Sequence, residues 1–92
     1  MKGIRFEWDE NCANKNKHGI SFEEAKTVFY DSKALVIYDP EHSADEERFI
    51  ILGLSKKTNF LVVCHCYRET ETVIHIISAR EATKTETKYY KN

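Results

Sequence analysis

The stretch Phe60-Leu61-Val62-Val63-Cys64-His65-Cys66-Tyr67-Arg68-Glu69-Thr70-Glu71-Thr72-Val73-Ile74-His75-Ile76-Ile77 decides the fold. Its two ends, 60–64 and 73–77, are rich in β-branched and aromatic residues, the composition of strands. Glu69-Thr70-Glu71-Thr72 is short and polar, so the flanking strands pair as an antiparallel hairpin. Upstream, Phe49-Ile50-Ile51-Leu52 and Leu35-Val36-Ile37-Tyr38 have the same character, and the polar link Ser55–Asn59 makes a second hairpin. Four consecutive strands joined in this way form a mainly antiparallel meander. Several of them are apolar on both faces, so helices or a partner must cover much of the sheet.

Towards the amino terminus, Ser21-Phe22-Glu23-Glu24 reads as a capping box. The Ser21 hydroxyl accepts from the Glu24 amide, and the Glu24 carboxylate is expected to reach back to the Ser21 amide. Phe22, Ala25, Val28 and Phe29 then fall on one helical face, with Ile20 placed as a staple against Ala25. Before them, Ile4 and Phe6-Glu7-Trp8 alternate as a short half-buried strand. Asp9 offers an N-cap for a polar helix ending near His18, where Gly19 suits the left-handed position. At the other end Ser78 closes the last strand, and Glu81 to Lys91 reads as a helix with Ala82, Thr85 and Tyr89 on one face. The expected order is β-α-α-β-β-β-β-α, an α/β chain of the α+β kind with two N-terminal helices and one C-terminal helix. No repeat, low-complexity stretch or linker divides residues 1–92, so one domain is expected.

The chain of 92 residues is 41% hydrophobic and 32% charged, with one proline, which describes a folded domain and excludes disorder. Met1 to Asp9 lacks the apolar run of a signal peptide or membrane span. An odd set of three cysteines, Cys12, Cys64 and Cys66, suits reduced thiols and a cytoplasmic location. The net charge of -1 argues against a strongly basic nucleic-acid binder. Its distribution is uneven: residues 31–50 carry six acidic side chains against Lys33 and Arg48, and residues 80–92 carry four basic ones against Glu81 and Glu86. Such a dipole suits RNA phosphates at one end and a basic protein partner at the other; the plainer alternative is two solvated faces.

There is no Walker loop, dinucleotide-binding glycine pair, zinc ribbon or nucleophile elbow. Cys64-His65-Cys66 puts both sulfurs on one strand face and His65 on the other, with no second ligand pair, so neither metal nor cofactor is expected. The remaining polar residues are of the types that metal-free RNA cleavage uses. Attack of a 2′-hydroxyl on its neighbouring phosphate needs a base, an acid and cations for the growing phosphoryl charge. His18, His42, His65 and His75 are acid or base candidates, although His18 also suits a helix end and His75 an apolar core. Arg68 and Arg80 each end a strand, and neighbouring strands are expected to bring the two guanidinium groups together on a phosphate. The alternative is an exposed pair with Glu69 or Glu81. Asp45-Glu46-Glu47-Arg48 offers a carboxylate base, or only a solvated turn.

The ordered set of motifs resembles the BrnT family of type II toxins. It comprises Phe6-Glu7-Trp8-Asp9, Asn14, Lys17-His18-Gly19-Ile20-Ser21-Phe22-Glu23-Glu24-Ala25, Asp39-Pro40 with His42-Ser43, and Glu46-Glu47-Arg48-Phe49. Further along it continues with Gly53, Val62-Val63, Arg68, Ile76-Ile77-Ser78-Ala79-Arg80, Ala82, Thr83, Glu86 and Tyr89. The resemblance implies a RelE-like fold, ribosome-independent RNA cleavage, and inhibition by a BrnA antitoxin with a ribbon-helix-helix part that makes the operator DNA contacts. Within that frame Arg80 and Arg68 are expected to hold the scissile phosphate, His18, His42 or Glu47 to act as base, and Lys17, Arg48 and Lys84 to add phosphate contacts. Two features depart from the family pattern. Asp9 to Asn14 is shorter than usual, and His75 stands where arginine is common, which implies a weaker or pH-dependent grip on RNA. Two rival readings stay open: an inert partner-binding module acting as co-repressor, and direct DNA binding, for which a basic recognition helix is missing.

Overall fold

The computed structural model describes residues 3–14, 19–42 and 44–91, leaving aside the side chains of residues 13, 14 and 42. The strands are β1 (Arg5–Trp8), β2 (Leu35–Tyr38), β3 (Phe49–Leu54), β4 (Phe60–Arg68) and β5 (Val73–Glu81). The helices among the described residues are α1 (Glu10–Asn14), α2 (Phe22–Thr27) and α3 (Lys84–Lys91), with 3-10 turns at Val28–Tyr30 and Pro40–His42. One mixed sheet has the order β1-β5-β4-β3-β2. β2 to β5 form the antiparallel meander that the hairpin links dictate. β1 adds to the far edge, parallel to β5, with Glu7 beside His75.

Alternation along the strands gives the sheet two faces. On one, Ile51, Leu61, Val63, Ile74, Ile76 and Ala79 meet Ile20, Phe22, Ala25 and Val28 from the α2 region. Each of the valine, leucine, isoleucine and phenylalanine side chains contributes about 1.5–3 kcal/mol on burial, and the two alanines less. Close approach here needs Gly53: a Cβ at that position would lie 2.9 Å from both Ala34 Cβ and Val28 Cγ1.

The start of α2 follows only half of the capping box. Ser21 Oγ accepts from the Glu24 amide at 3.0 Å. The Glu24 carboxylate, however, turns inward and accepts from Ser55 Oγ at 2.6 Å and Asn59 Nδ2 at 2.8 Å. Two donors at a buried site outweigh one amide at a wet helix end, and the result fastens α2 to the β3–β4 turn. Asp9 Oδ1 accepts from the Asn11 amide at 2.8 Å and so caps α1. Gly19 has φ of +73°, but the expected helix end at His18 lies outside the described residues.

The expected helix from Glu81 begins instead at Lys84, because Ala79, Arg80 and Glu81 continue the ladder opposite Val63, Val62 and Leu61. The helix then starts with its own capping box: the Glu86 amide donates to Thr83 Oγ1 at 3.1 Å, and Glu86 Oε1 accepts from the Thr83 amide at 2.8 Å. Its inward groups are Glu86, Thr87 and Tyr90, whereas Thr85 and Tyr89 face solvent. The Tyr90 hydroxyl donates to Asp31 Oδ2 at 2.7 Å, and its ring lies 5.1 Å from that of Phe60. Asp31 Oδ2 also accepts from the Leu54 amide at 2.9 Å, so one carboxylate joins α3 to β3.

Candidate functional site

Arg68 and Arg80 do not converge. Arg68 pairs with Val73 at one end of the β4–β5 ladder, and Arg80 pairs with Val62 near the other. At about 3.3 Å per residue the two positions are roughly 20 Å apart. The expectation of a shared phosphate site fails because consecutive antiparallel strands finish at opposite ends of a sheet. Arg80 is engaged locally: its Nη1 and Nη2 donate to Glu86 Oε1 and Oε2, both at 2.8 Å, and Nη1 also donates to the Glu81 carbonyl. Those bonds, with help from Thr83 and against the effect of burial, push the Glu86 carboxyl down to about 2.

Arg68 is the centre of a different cluster. Its Nη1 lies 3.3 Å from Glu7 Oε2 and its Nη2 lies 3.5 Å from Glu46 Oε1. The β1–β5 register sets Glu7 beside His75, whose Nδ1 is 2.8 Å from Glu7 Oε2. Glu46, Arg68, Glu7 and His75 thus form one continuous acid–cation–acid–imidazole chain at the sheet surface. Burial works against the charge on Arg68, but Cys66, Glu46 and Glu7 outweigh it, so the guanidinium stays charged. A carboxylate can only accept, so Nδ1 carries a proton and Nε2 of a neutral ring has its lone pair free.

Arg68 also borders an open groove of about 940 Å³, walled by Phe6, Phe29, Tyr30, Phe49 and Tyr67 and rimmed by Glu46 and Glu47. Tyr30 is exposed and the other four rings are half-buried; aromatic edges and faces beside a guanidinium are the kind of surface on which nucleobases stack. Of the remaining expected site residues, Glu47 is exposed on this rim and Arg48 is half-buried near Cys64. Lys84 is exposed in the first turn of α3, on the Arg80 side. Lys17 and His18 lie outside the described residues, as does the His42 side chain.

His65 is a core residue: it is fully buried, edge-on to Phe29 at 4.8 Å, with burial pushing its pKa below the usual imidazole value. Burial pushes the Cys64 and Cys66 thiols up. Glu7 was no candidate in the sequence, and His75 was as readily a core residue. The signal that joins them is the parallel pairing of β1 with a strand 68 residues away, which no local pattern carries.

A family model described as the ribonuclease toxin BrnT of type II toxin–antitoxin systems matches residues 8–86. The crystal structure of the Brucella abortus ribonuclease toxin BrnT superposes with a TM-score of 0.68 at 22% sequence identity, covering 88% of this chain and 99% of that one. This likeness shows a shared fold. No curated protein matches the chain.

Proposed function

Since the chain belongs to the BrnT family of ribonuclease toxins of type II toxin–antitoxin systems, we propose that it cleaves RNA without metal or ribosome and is neutralised by a BrnA-type antitoxin. In this reading the ribbon-helix-helix part of the antitoxin, and not this chain, contacts operator DNA. The reaction centre is the Glu46–Arg68–Glu7–His75 cluster, and the single observation behind it is the unbroken chain of contacts joining an imidazole to a guanidinium beside an aromatic groove.

The chemistry follows from the groups. Bases stack on the aromatic wall on one face of the sheet. The RNA strand crosses the end of β4 at Arg68, which shifts one or both of its amino groups from carboxylate to phosphate, where its planar fork is bidentate. The reacting nucleotide thereby reaches His75 on the other face. Glu7 holds the His75 ring so that Nε2 accepts the proton of the 2′-hydroxyl. The 2′-oxygen then bonds to phosphorus, the bond to the 5′-oxygen breaks, and that oxygen takes a proton from solvent. The products are a 2′,3′-cyclic phosphate and a 5′-hydroxyl. Glu47 on the groove rim is the other available base. Arg80 contributes by holding α3 to the sheet.

Purified chain incubated with ribosome-free RNA in EDTA is expected to cut it. Arg68→Ala and His75→Gln should lose roughly 10²–10³-fold in rate, the usual scale for removing a charge stabiliser or a general base. Glu47→Gln retaining full activity assigns the base to His75. Wild-type rates in both Arg68→Ala and His75→Gln would move the centre elsewhere. One observation favours a second reading, an inert partner-binding co-repressor: Arg68 is flanked by two carboxylates, which repel phosphate. Expression without antitoxin discriminates, since an inert module leaves growth unchanged.

A further inference from the structure

β2 is an edge strand, paired on one side with β3 and, among the described residues, with nothing on the other. All four of its side chains are large, apolar and exposed: Leu35 40%, Val36 50%, Ile37 61% and Tyr38 48%. The Asp39 amide donates to the Arg48 carbonyl at 2.9 Å, which makes Asp39 and Arg48 a hydrogen-bonded pair of the ladder. By the alternation of antiparallel ladders, Leu35 and Ile37 bond to β3, while the N–H and C=O groups of Val36 and Tyr38 point outward. Natural edge strands are guarded by lysine, proline, a bulge or a covering element. Leu35–Tyr38 has no lysine, proline or bulge, and its apolar side chains are open on both faces.

We propose that this edge takes a sixth strand, antiparallel or parallel, from a separate protein: an extended segment with apolar side chains at its centre and lysine or arginine at its flanks. The charge around β2 selects that occupant. The segment 31–50 carries six acidic residues against Lys33 and Arg48, with Asp31 and Lys33 ahead of β2 and Asp39 and Glu41 within three residues after it. A second copy of this chain pairing edge to edge would set two such acidic segments side by side, where like charges repel. A strand with a basic flank meets opposite charge at Asp39 and Glu41, while its apolar residues cover Val36 and Tyr38 on one face and Leu35 and Ile37 on the other. Resting on the toxin–antitoxin reading above, the partner is the antitoxin, and the docking edge is separate from the Arg68 cluster.

The experiment uses the full chain and its cognate antitoxin, with Val36→Pro and Ile37→Lys beside the wild type. Val36 donates no bond to β3, so proline removes only the outward donor and is tolerated at an edge; circular dichroism melts check that both variants fold. The expected result is a loss of affinity of roughly thirtyfold or more in each variant, slowed amide exchange at Val36 and Tyr38 in the wild-type complex, and RNA cleavage that persists but escapes neutralisation. Equal antitoxin affinity in folded variants overturns the edge proposal and leaves the toxin–antitoxin reading standing. Absence of any antitoxin binding by the wild type overturns both. A wild-type dimer that Val36→Pro converts to monomer assigns the edge to a second copy and overturns the proposal.

Discussion

Replacing Arg80 with alanine separates a helix clamp from an RNA contact. In the native chain Glu86 sits at about 2 against an ordinary 4.5, chiefly through its two bonds from Arg80. A shift of that size corresponds to an upper limit of about 3 kcal/mol. Both side chains are about a third exposed, at 38% and 31%, so solvent screening reduces the pair to about 1–2 kcal/mol. For a domain of this size that lowers Tm by about 4–16 °C. The folded carboxyl titrates below the unfolded one, so its stabilisation is complete above pH 4.5 and is lost as pH falls through about 2. The gap between wild type and Arg80→Ala in thermal melts should therefore be full at pH 7 and small near pH 2. Cleavage by the folded variant should stay close to the wild-type rate at 25 °C. An unchanged Tm at pH 7 together with lost cleavage would refute the clamp and make Arg80 a phosphate ligand.

Four other outcomes follow from the packing. Gly53→Ala forces its new methyl to 2.9 Å from Val28 Cγ1 and Ala34 Cβ, and should cost about 1–3 kcal/mol in urea unfolding. Glu24→Ala strands the buried hydroxyl of Ser55 and should cost about 1–3 kcal/mol at pH 7. Although burial raises the Glu24 carboxyl, the Ser55 and Asn59 bonds with Lys57 hold it below 4.5. Its contribution is thus present above that pH and fades in more acid buffer, where the Glu24→Ala deficit should narrow. His65 has an acid response that an exposed imidazole lacks: held neutral by burial, it withdraws stability as pH drops below 6.5, so His65→Phe should flatten the wild-type loss of Tm between pH 7 and pH 5. Tyr90→Phe removes the bond to Asp31 and should cost about 0.5–1.5 kcal/mol, measured by the same melts.

What was legible in the sequence was what local chemistry writes. The β-branched runs, the polar hairpin links and Ser21 at the start of α2 each specify their element within a few residues. Boundaries were harder where two local signals compete. Glu81 to Lys91 looks helical throughout, yet the pairing of Glu81 with Leu61 extends β5 and leaves Thr83 to begin the helix. Groups answering to distant partners were not legible. Glu24 finds its donors more than thirty residues away, and Glu7 meets His75 only because β1 joins the last strand of the sheet. The expected meeting of the two arginines fails for one geometric reason: a strand end names an edge of the sheet only once strand direction is known.

α3 contains no buried residue, and its ties to the rest of the chain are largely polar: Arg80 to Glu86, Tyr90 to Asp31, and the ring contact with Phe60. The cooperative unit of folding therefore ends near Glu81. Residues 82–91 form an appendage whose opening costs less than unfolding the sheet, and amide exchange along 84–91 should run ahead of exchange along β4.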